Sequence, residues 1–200
     1  MEIAKYKTEI PEDKFNEELA TKRRADMLKY SGLSQYQLNF KLSEYDLKGF
    51  GNIFNNYLNY ENNYYFHGNV GSGKTYLASV LLKEAIEMHA KVGIFKTVPE
   101  FLMKARYEMK AGNEEDFIAY YSELQFFVLD DLCVQRDSAY SNEMLYIILD
   151  RYSRNNRKGL IITSNLSLTD LSKKIGDRLA SRISGMCEIK KFSGEDRRLK

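Results

Sequence analysis

The run Gly68-Asn69-Val70-Gly71-Ser72-Gly73-Lys74-Thr75 constrains this chain more than any other feature. It has the form GxxxxGK[ST], lying after a short β-type segment, Tyr64–His67, and before a helical pattern carrying Leu77, Val80, Leu81, Ala85 and Met88. In such a strand–loop–helix the glycines let successive backbone N–H groups turn inward as an anion nest, and the helix adds the positive end of its dipole. The lysine reaches the β- and γ-phosphates of a nucleotide, and the threonine hydroxyl serves Mg2+. All eight residues from Gly68 to Thr75 are therefore expected to hold nucleotide, with ATP and Mg2+ as the expected cofactors.

A loop of this kind sits on an α/β sheet, and the remaining pattern agrees. Val92–Phe95 reads as a second strand, and Pro99 opens a helix through Phe101, Leu102, Ala105 and Met109. Phe126–Leu129 is a continuous apolar run, as a strand buried on both faces requires. A helix with Met144, Leu145, Ile147 and Ile148 follows, then strands at Leu160–Thr163 and Met186–Phe192. Strands alternating with helices predict a parallel five-stranded sheet covered on both faces, the three-layer P-loop NTPase fold. Upstream, Pro11 and the sparse stripe Phe15, Leu19, Met27 and Tyr30 predict a helix closed by Ser31-Gly32, and Leu47, Phe50, Phe54, Tyr57 and Leu58 predict another.

Phosphate chemistry needs a carboxylate beside the loop. The apolar run ends in Asp130-Asp131, at the carboxyl edge where ligands of open α/β sheets bind. Asp130 is expected to hold Mg2+ together with Thr75, and Asp131 to orient or deprotonate the attacking water. The strand Leu160-Ile161-Ile162-Thr163 runs into Ser164-Asn165, where Asn165 is placed to hydrogen-bond both that water and the γ-phosphate. Capping of a helix beginning near Leu166 is the other role open to this polar tip.

Composition adds limits. No apolar run approaches the ~20 residues of a membrane span, and the first residues lack the apolar core of a secretory signal. Cys133 and Cys187 stand alone, which excludes a CxxC zinc or redox motif. A reduced, cytoplasmic protein without zinc or membrane contact is expected. The net charge of +2 hides a division. Residues 151–200 carry 13 basic and 5 acidic side chains, leaving 17 basic and 23 acidic in residues 1–150. Such a basic quarter points to an anionic partner or to a solvated basic face.

In order and spacing these elements resemble AAA+ ATPases of the DnaC/DnaI-type helicase-loader family and their IstB-like transposition-helper relatives. The resemblance spans roughly Ser34 to Arg198. It rests on Gly68–Thr75, Phe95-Lys-Thr-Val-Pro-Glu-Phe-Leu102, Val128-Leu-Asp-Asp-Leu132, Ile162-Thr-Ser-Asn165, Gly176-Asp-Arg-Leu-Ala-Ser-Arg-Ile183 and Phe192-Ser-Gly-Glu-Asp-Arg-Arg198. It implies an AAA+ core without a separate lid domain over residues 33–200, preceded by a short helical extension over residues 1–32.

The resemblance further implies an ATP-dependent oligomer with ATP sites between subunits. Arg182 matches the arginine finger, with Arg178 the weaker candidate. Arg198 matches a second sensor arginine, with Arg197 one register away. The implied partners are a replicative DNA helicase and single-stranded DNA, the latter near Lys104, Arg106 and Lys110. Relatives carry Glu where this chain has Asp131, and the shorter side chain predicts slow hydrolysis. Loaders of this family usually carry a larger N-terminal domain, so either the Pro11–Tyr30 helix is a minimal helicase hook, or recruitment uses another surface, or the helicase is not the partner. Two other functions share the same core: a transposition helper acting with duplex DNA, and a nucleotide-dependent adaptor with little turnover.

Replacing Lys74 by Ala removes the phosphate-directed cation. Nucleotide binding measured by fluorescent-ATP titration is expected to vanish, and retained micromolar affinity would overturn the assignment of the loop.

Overall fold

The structure, a computed structural model, describes residues 12–44, 52–132 and 139–193, with side chains from residue 17 onward. Its sheet has five strands: β1 (Asn63–Gly68), β2 (Gly93–Thr97), β3 (Phe126–Leu132), β4 (Leu160–Ser164) and β5 (Cys187–Phe192). Their order is β2-β3-β4-β1-β5, and every pairing is parallel. This is the expected α/β three-layer arrangement. β1, β3 and β4 extend a little beyond their expected apolar residues because ladder hydrogen bonds, not side-chain hydropathy, set the ends, whereas Val92 precedes β2 and Met186, expected in the last strand, ends the helix before it.

Alternation along the strands divides the core in two. Tyr64, Phe66, Phe126, Val128 and Ile161 face one side, whereas Tyr65, Phe127, Leu129, Leu160 and Ile162 face the other. The first set is covered by α3 (Ile53–Leu58) and α4 (Lys74–His89), through Tyr57, Leu77, Leu81 and Ile86. The second is covered by α5 (Val98–Ala111), α6 (Glu114–Glu123), α7 (Ala139–Arg154), α8 (Leu168–Ile175) and α9 (Asp177–Met186). Because both faces of β1, β3 and β4 are buried, these strands read as apolar runs, whereas the edge strand β5 carries Glu188, Lys190 and Lys191.

Local sequence explains several boundaries. α5 starts on a capping box in which Thr97 and Glu100 exchange side-chain and backbone bonds, with Pro99 in the first turn. The helix after β4 begins at Leu168, not near Leu166, because Ser167 is its cap and accepts from the Asp170 amide. At the start of β1, buried Asn63 accepts from Leu160 N–H at 3.0 Å and donates to the Arg157 and Met186 carbonyls at 3.1 and 3.3 Å. One amide thereby aligns β1 with its neighbours on both sides.

The N-terminal helix α1 (Glu12–Tyr30) is tied to this body by its last turns. Met27 and Leu28 pack on the α4 side of the core, and the carbonyl of buried Ser31 accepts from Phe95 N–H at 2.6 Å on the edge strand β2. The link covers part of an otherwise open sheet edge. A four-residue helix, α2 (Gln35–Leu38), follows with its own Ser34/Gln37 capping box. Of the helix expected over residues 47–58, only Ile53–Leu58 lies among the described residues.

Candidate nucleotide site

The loop between β1 and α4 meets the ends of β3 and β4 at the carboxyl edge of the sheet. Gly68 leaves β1 at φ +144, and a Cβ there would stand 2.0 Å from the Phe192 carbonyl oxygen on β5. Gly73 caps α4 at φ +92. Both positions need glycine for backbone reasons, which is why the pattern is strict there.

Lys74 opens α4 and is buried. Its Nζ donates at 2.8 Å to the carbonyls of Gly68 and Asn69, and at 2.9 Å to Asn165 Oδ1. The ammonium therefore joins the loop to the end of β4. Thr75, one residue on, donates its hydroxyl to the Asp130 carboxylate at 2.9 Å. Thr163 donates to the same Asp130 Oδ1 at 2.6 Å. Ser164 turns back to cap the strand end, its hydroxyl donating to the Leu132 carbonyl at 2.8 Å and accepting from Leu166 N–H at 3.1 Å. Lys74, Thr75, Asp130 and Asn165, separated by up to 91 residues in sequence, thus form one contiguous polar cluster.

Asp130 is 3% exposed, and burial pushes its carboxyl up to about 6, with the Asp131 charge adding to the rise. Hydrogen bonds from Thr163 and Thr75 and the charge of Lys74 act in the opposite direction without cancelling burial. A buried carboxylate beside a threonine hydroxyl is a hard-oxygen pair, and it fits Mg2+, which takes few protein ligands and keeps its remaining coordination for water and phosphate. Asp131 is half-buried and adopts φ +59, the left-handed region. Asp tolerates that conformation better than most residues, at a cost of about 1–2 kcal/mol. This supplies a physical reason for Asp, and not Glu, at the second acidic position. His67, at the end of β1, is held below the usual histidine range by burial and by the charges of Lys191 and Lys74.

The arginines lie elsewhere. Arg182 on α9 pairs with buried Asp150 on α7, and Arg154 pairs with the other oxygen of the same carboxylate. The Arg178 guanidinium sits 3.8 Å from the centre of the Tyr146 ring, and hydrogen bonds from Arg182 and Arg178 hold the Tyr146 hydroxyl below its usual range. Tyr146, Ser153, Arg178, Ser181, Arg182 and Gly185 line a cavity of about 330 Å3. The partners of Arg182 are on α7, not on the phosphate loop of its own chain. Asp150 had no assigned role from sequence, although its i,i+4 spacing to Arg154 was a readable signal. Arg197 and Arg198 lie outside the described residues. Of the side chains placed near DNA, Lys104 pairs with Glu108 at 2.5 Å and Arg106 donates to Ser141 at 3.3 Å.

The raised Asp130 pKa has a consequence for stability. Between about pH 4 and 6 the folded chain holds a proton that the unfolded chain has released, so stability falls as pH rises through that window. Asp130→Asn removes the burial cost of the charge. In EDTA it is expected to raise the unfolding free energy from urea titration at pH 7.5 by about 1–3 kcal/mol. The gain should shrink toward zero by pH 4, and a gain independent of pH would show that charge burial is not its source.

The family model described as IstB-like ATP binding protein matches residues 16–200. The replicative helicase loader DnaC of Escherichia coli (strain K12) is 28% identical over 121 residues, covering 59% of this chain and 48% of that protein. The chain thus spans about half the length of the loaders it matches in sequence. The crystal structure of the DnaC helicase loader superposes with a TM-score of 0.70 at 25% identity, over 80% of this chain and 100% of that one. The crystal structure of DnaI gives 0.68 at 20% identity, over 80% and 95%, a likeness of fold. No helix of the described residues is long and apolar enough to cross a membrane. With a matching model over residues 16–200 and a nucleotide loop built to its pattern, the chain belongs to the IstB-like ATP-binding proteins, P-loop proteins of the AAA+ class.

Proposed function

We propose that this protein binds and hydrolyses ATP in order to load or remodel a replicative DNA helicase on single-stranded DNA. The observation that carries the ATPase reading is the joining of Lys74 to Asn165 and of Thr75 to Asp130, which puts the phosphate loop, the metal carboxylate and the polar tip of β4 in one cluster. The helicase reading draws on the similarity to DnaC.

In this reading the loop amides from Gly68 to Thr75 and the Lys74 ammonium bind the phosphates. Thr75 and Asp130 hold Mg2+, which when bound neutralises charge on the β- and γ-phosphate oxygens. Asp131 accepts the proton of the attacking water, a role worth typically 10²–10⁴ in rate. Asn165 orients that water against the γ-phosphate, and exchanges its bond to Lys74 for bonds to the substrate. Arg182 reaches the γ-phosphate held by a neighbouring copy, and Arg198 acts within its own subunit. That Arg182 pairs with Asp150 on α7, and not with its own loop, supports a role toward a neighbouring copy. The left-handed backbone at Asp131 and its short side chain favour slow turnover.

A groove of about 610 Å3 runs between α1 and the sheet edge, lined by Leu19, Met27, Tyr30, Val92 and Tyr120 among others. It offers the α1 helix and its surroundings as the helicase-contacting surface. The other reading, implied by the resemblance to IstB-like transposition helpers, is the same ATPase with a transposase as partner. Capture of the replicative helicase from a bacterial lysate, with and without residues 1–32, separates the two.

The oligomeric ATPase reading is tested by complementation. Arg182→Ala should keep ATP affinity within about threefold but lower turnover stimulated by single-stranded DNA by about 10³-fold, the range of an arginine finger. Mixed with Asp131→Asn, it should regain part of the wild-type rate, since one subunit then supplies the base and its neighbour the arginine. No recovery on mixing would overturn the action of Arg182 in trans. No turnover by the wild-type protein with DNA present would leave an adaptor.

A further inference from the structure

Across from the two acidic residues, β4 offers one residue. Leu129 is paired with Ile162 and Leu132 with Ser164, so Asp130 and Asp131 together oppose Thr163. Two residues against one make a β-bulge, which bends the strand and leaves an amide without its ladder acceptor. That amide is Asp131 N–H, and it donates to Thr163 Oγ1 at 3.0 Å. The hydroxyl's own proton goes to Asp130 Oδ1 at 2.6 Å. A hydroxyl has one proton to give and lone pairs to receive, so a single atom serves both acidic residues, one through its carboxylate and one through its backbone. Thr163 is fully buried, and no water can take over either bond without opening the sheet.

We infer that Thr163 is a positioning residue for hydrolysis: its hydroxyl holds the bulge that sets the placement of Asp131 while it orients the carboxylate of Asp130. In an uninterrupted strand, residues 130 and 131 would point to opposite faces of the sheet. With the bulge and the left-handed Asp131, that alternation is broken at the carboxyl edge, beside the phosphate loop. Without the hydroxyl, the Asp131 amide has no acceptor, and the strand gains by straightening and carrying its carboxylate round with it. Thr163 never approaches the nucleotide in this scheme. It acts through Asp131, and the inference rests on the reading that Asp131 prepares the attacking water.

Thr163→Val keeps the shape of the side chain and removes both bonds, whereas Thr163→Ser keeps the hydroxyl. Amide exchange followed by NMR on the nucleotide-free protein reads the bulge directly. Asp131 N–H should be protected in the wild type and in Thr163→Ser, and should exchange at least tenfold faster in Thr163→Val. With saturating Mg2+, ATP affinity by fluorescent titration should stay within about threefold in both variants, while turnover falls by about 10²-fold in Val and returns to within about threefold in Ser, since the effect is that of misplacing a general base. Unchanged protection and turnover in Thr163→Val would overturn the inference, as would a Ser variant as impaired as Val. Should Val fail to fold, Thr163→Ala carries the same comparison. Asp131→Asn is measured alongside. If it turns over at the wild-type rate, the role of Asp131 falls; the exchange data still decide whether Thr163 holds the bulge.

Discussion

Asp130 is a nearly buried carboxylate whose charge is supported by two hydroxyls from different elements, Thr75 at the head of α4 and Thr163 on β4. Removing a carboxylate from water is costly unless it is hydrogen-bonded, so these contacts require three elements to meet at one depth in the molecule. The phosphate loop takes its position from the same requirement, because Thr75 belongs to the helix that the loop opens. Lys74 repeats the arrangement with opposite charge, tying two loop carbonyls to Asn165. The result is a polar cluster in which the groups proposed to meet phosphate and cation are already held in place by one another.

A second charged centre is built on the far helices. Asp150 is buried and carries two guanidiniums, Arg154 and Arg182, while Tyr146 supports Arg178 and Arg182. The basic last quarter of the sequence is thereby resolved into distinct uses. Arg151 pairs with Glu115 and Arg154 with Asp150, whereas Arg178 and Arg182 line an accessible cavity. Among the described residues of this segment, four arginines are thus resolved into ion pairs and one cavity lining.

Much of the fold was legible because its signals are local. The glycine positions of the loop answer to backbone geometry, Pro99 and Thr97 to helix initiation, and the apolar runs at Phe126–Leu129 and Leu160–Ile162 to burial on both sides of a sheet. The positions of Asp130 and Asn165 beside the loop were legible because the carboxyl ends of parallel strands share one edge. The β-bulge at Asp131 was not legible. It depends on the register between β3 and β4, and register is a relation between segments 32 residues apart. The Asp150–Arg182 pair was hidden for the same reason, since α7 and α9 meet only through tertiary packing.

By itself, then, the sequence determined the loop and strand-end positions expected to meet phosphate and cation, because glycine, lysine, threonine and aspartate in that spacing leave the chain little choice of local conformation. It determined the α/β alternation and the family to which the chain belongs. Only the tertiary structure decided how the two adjacent acids differ: one sunk and keeping its proton to a higher pH than an exposed carboxyl does, the other lifted by a left-handed bulge and held through Thr163. Burial and cross-strand register are properties of the assembled sheet, and they separate two side chains that are identical in the sequence.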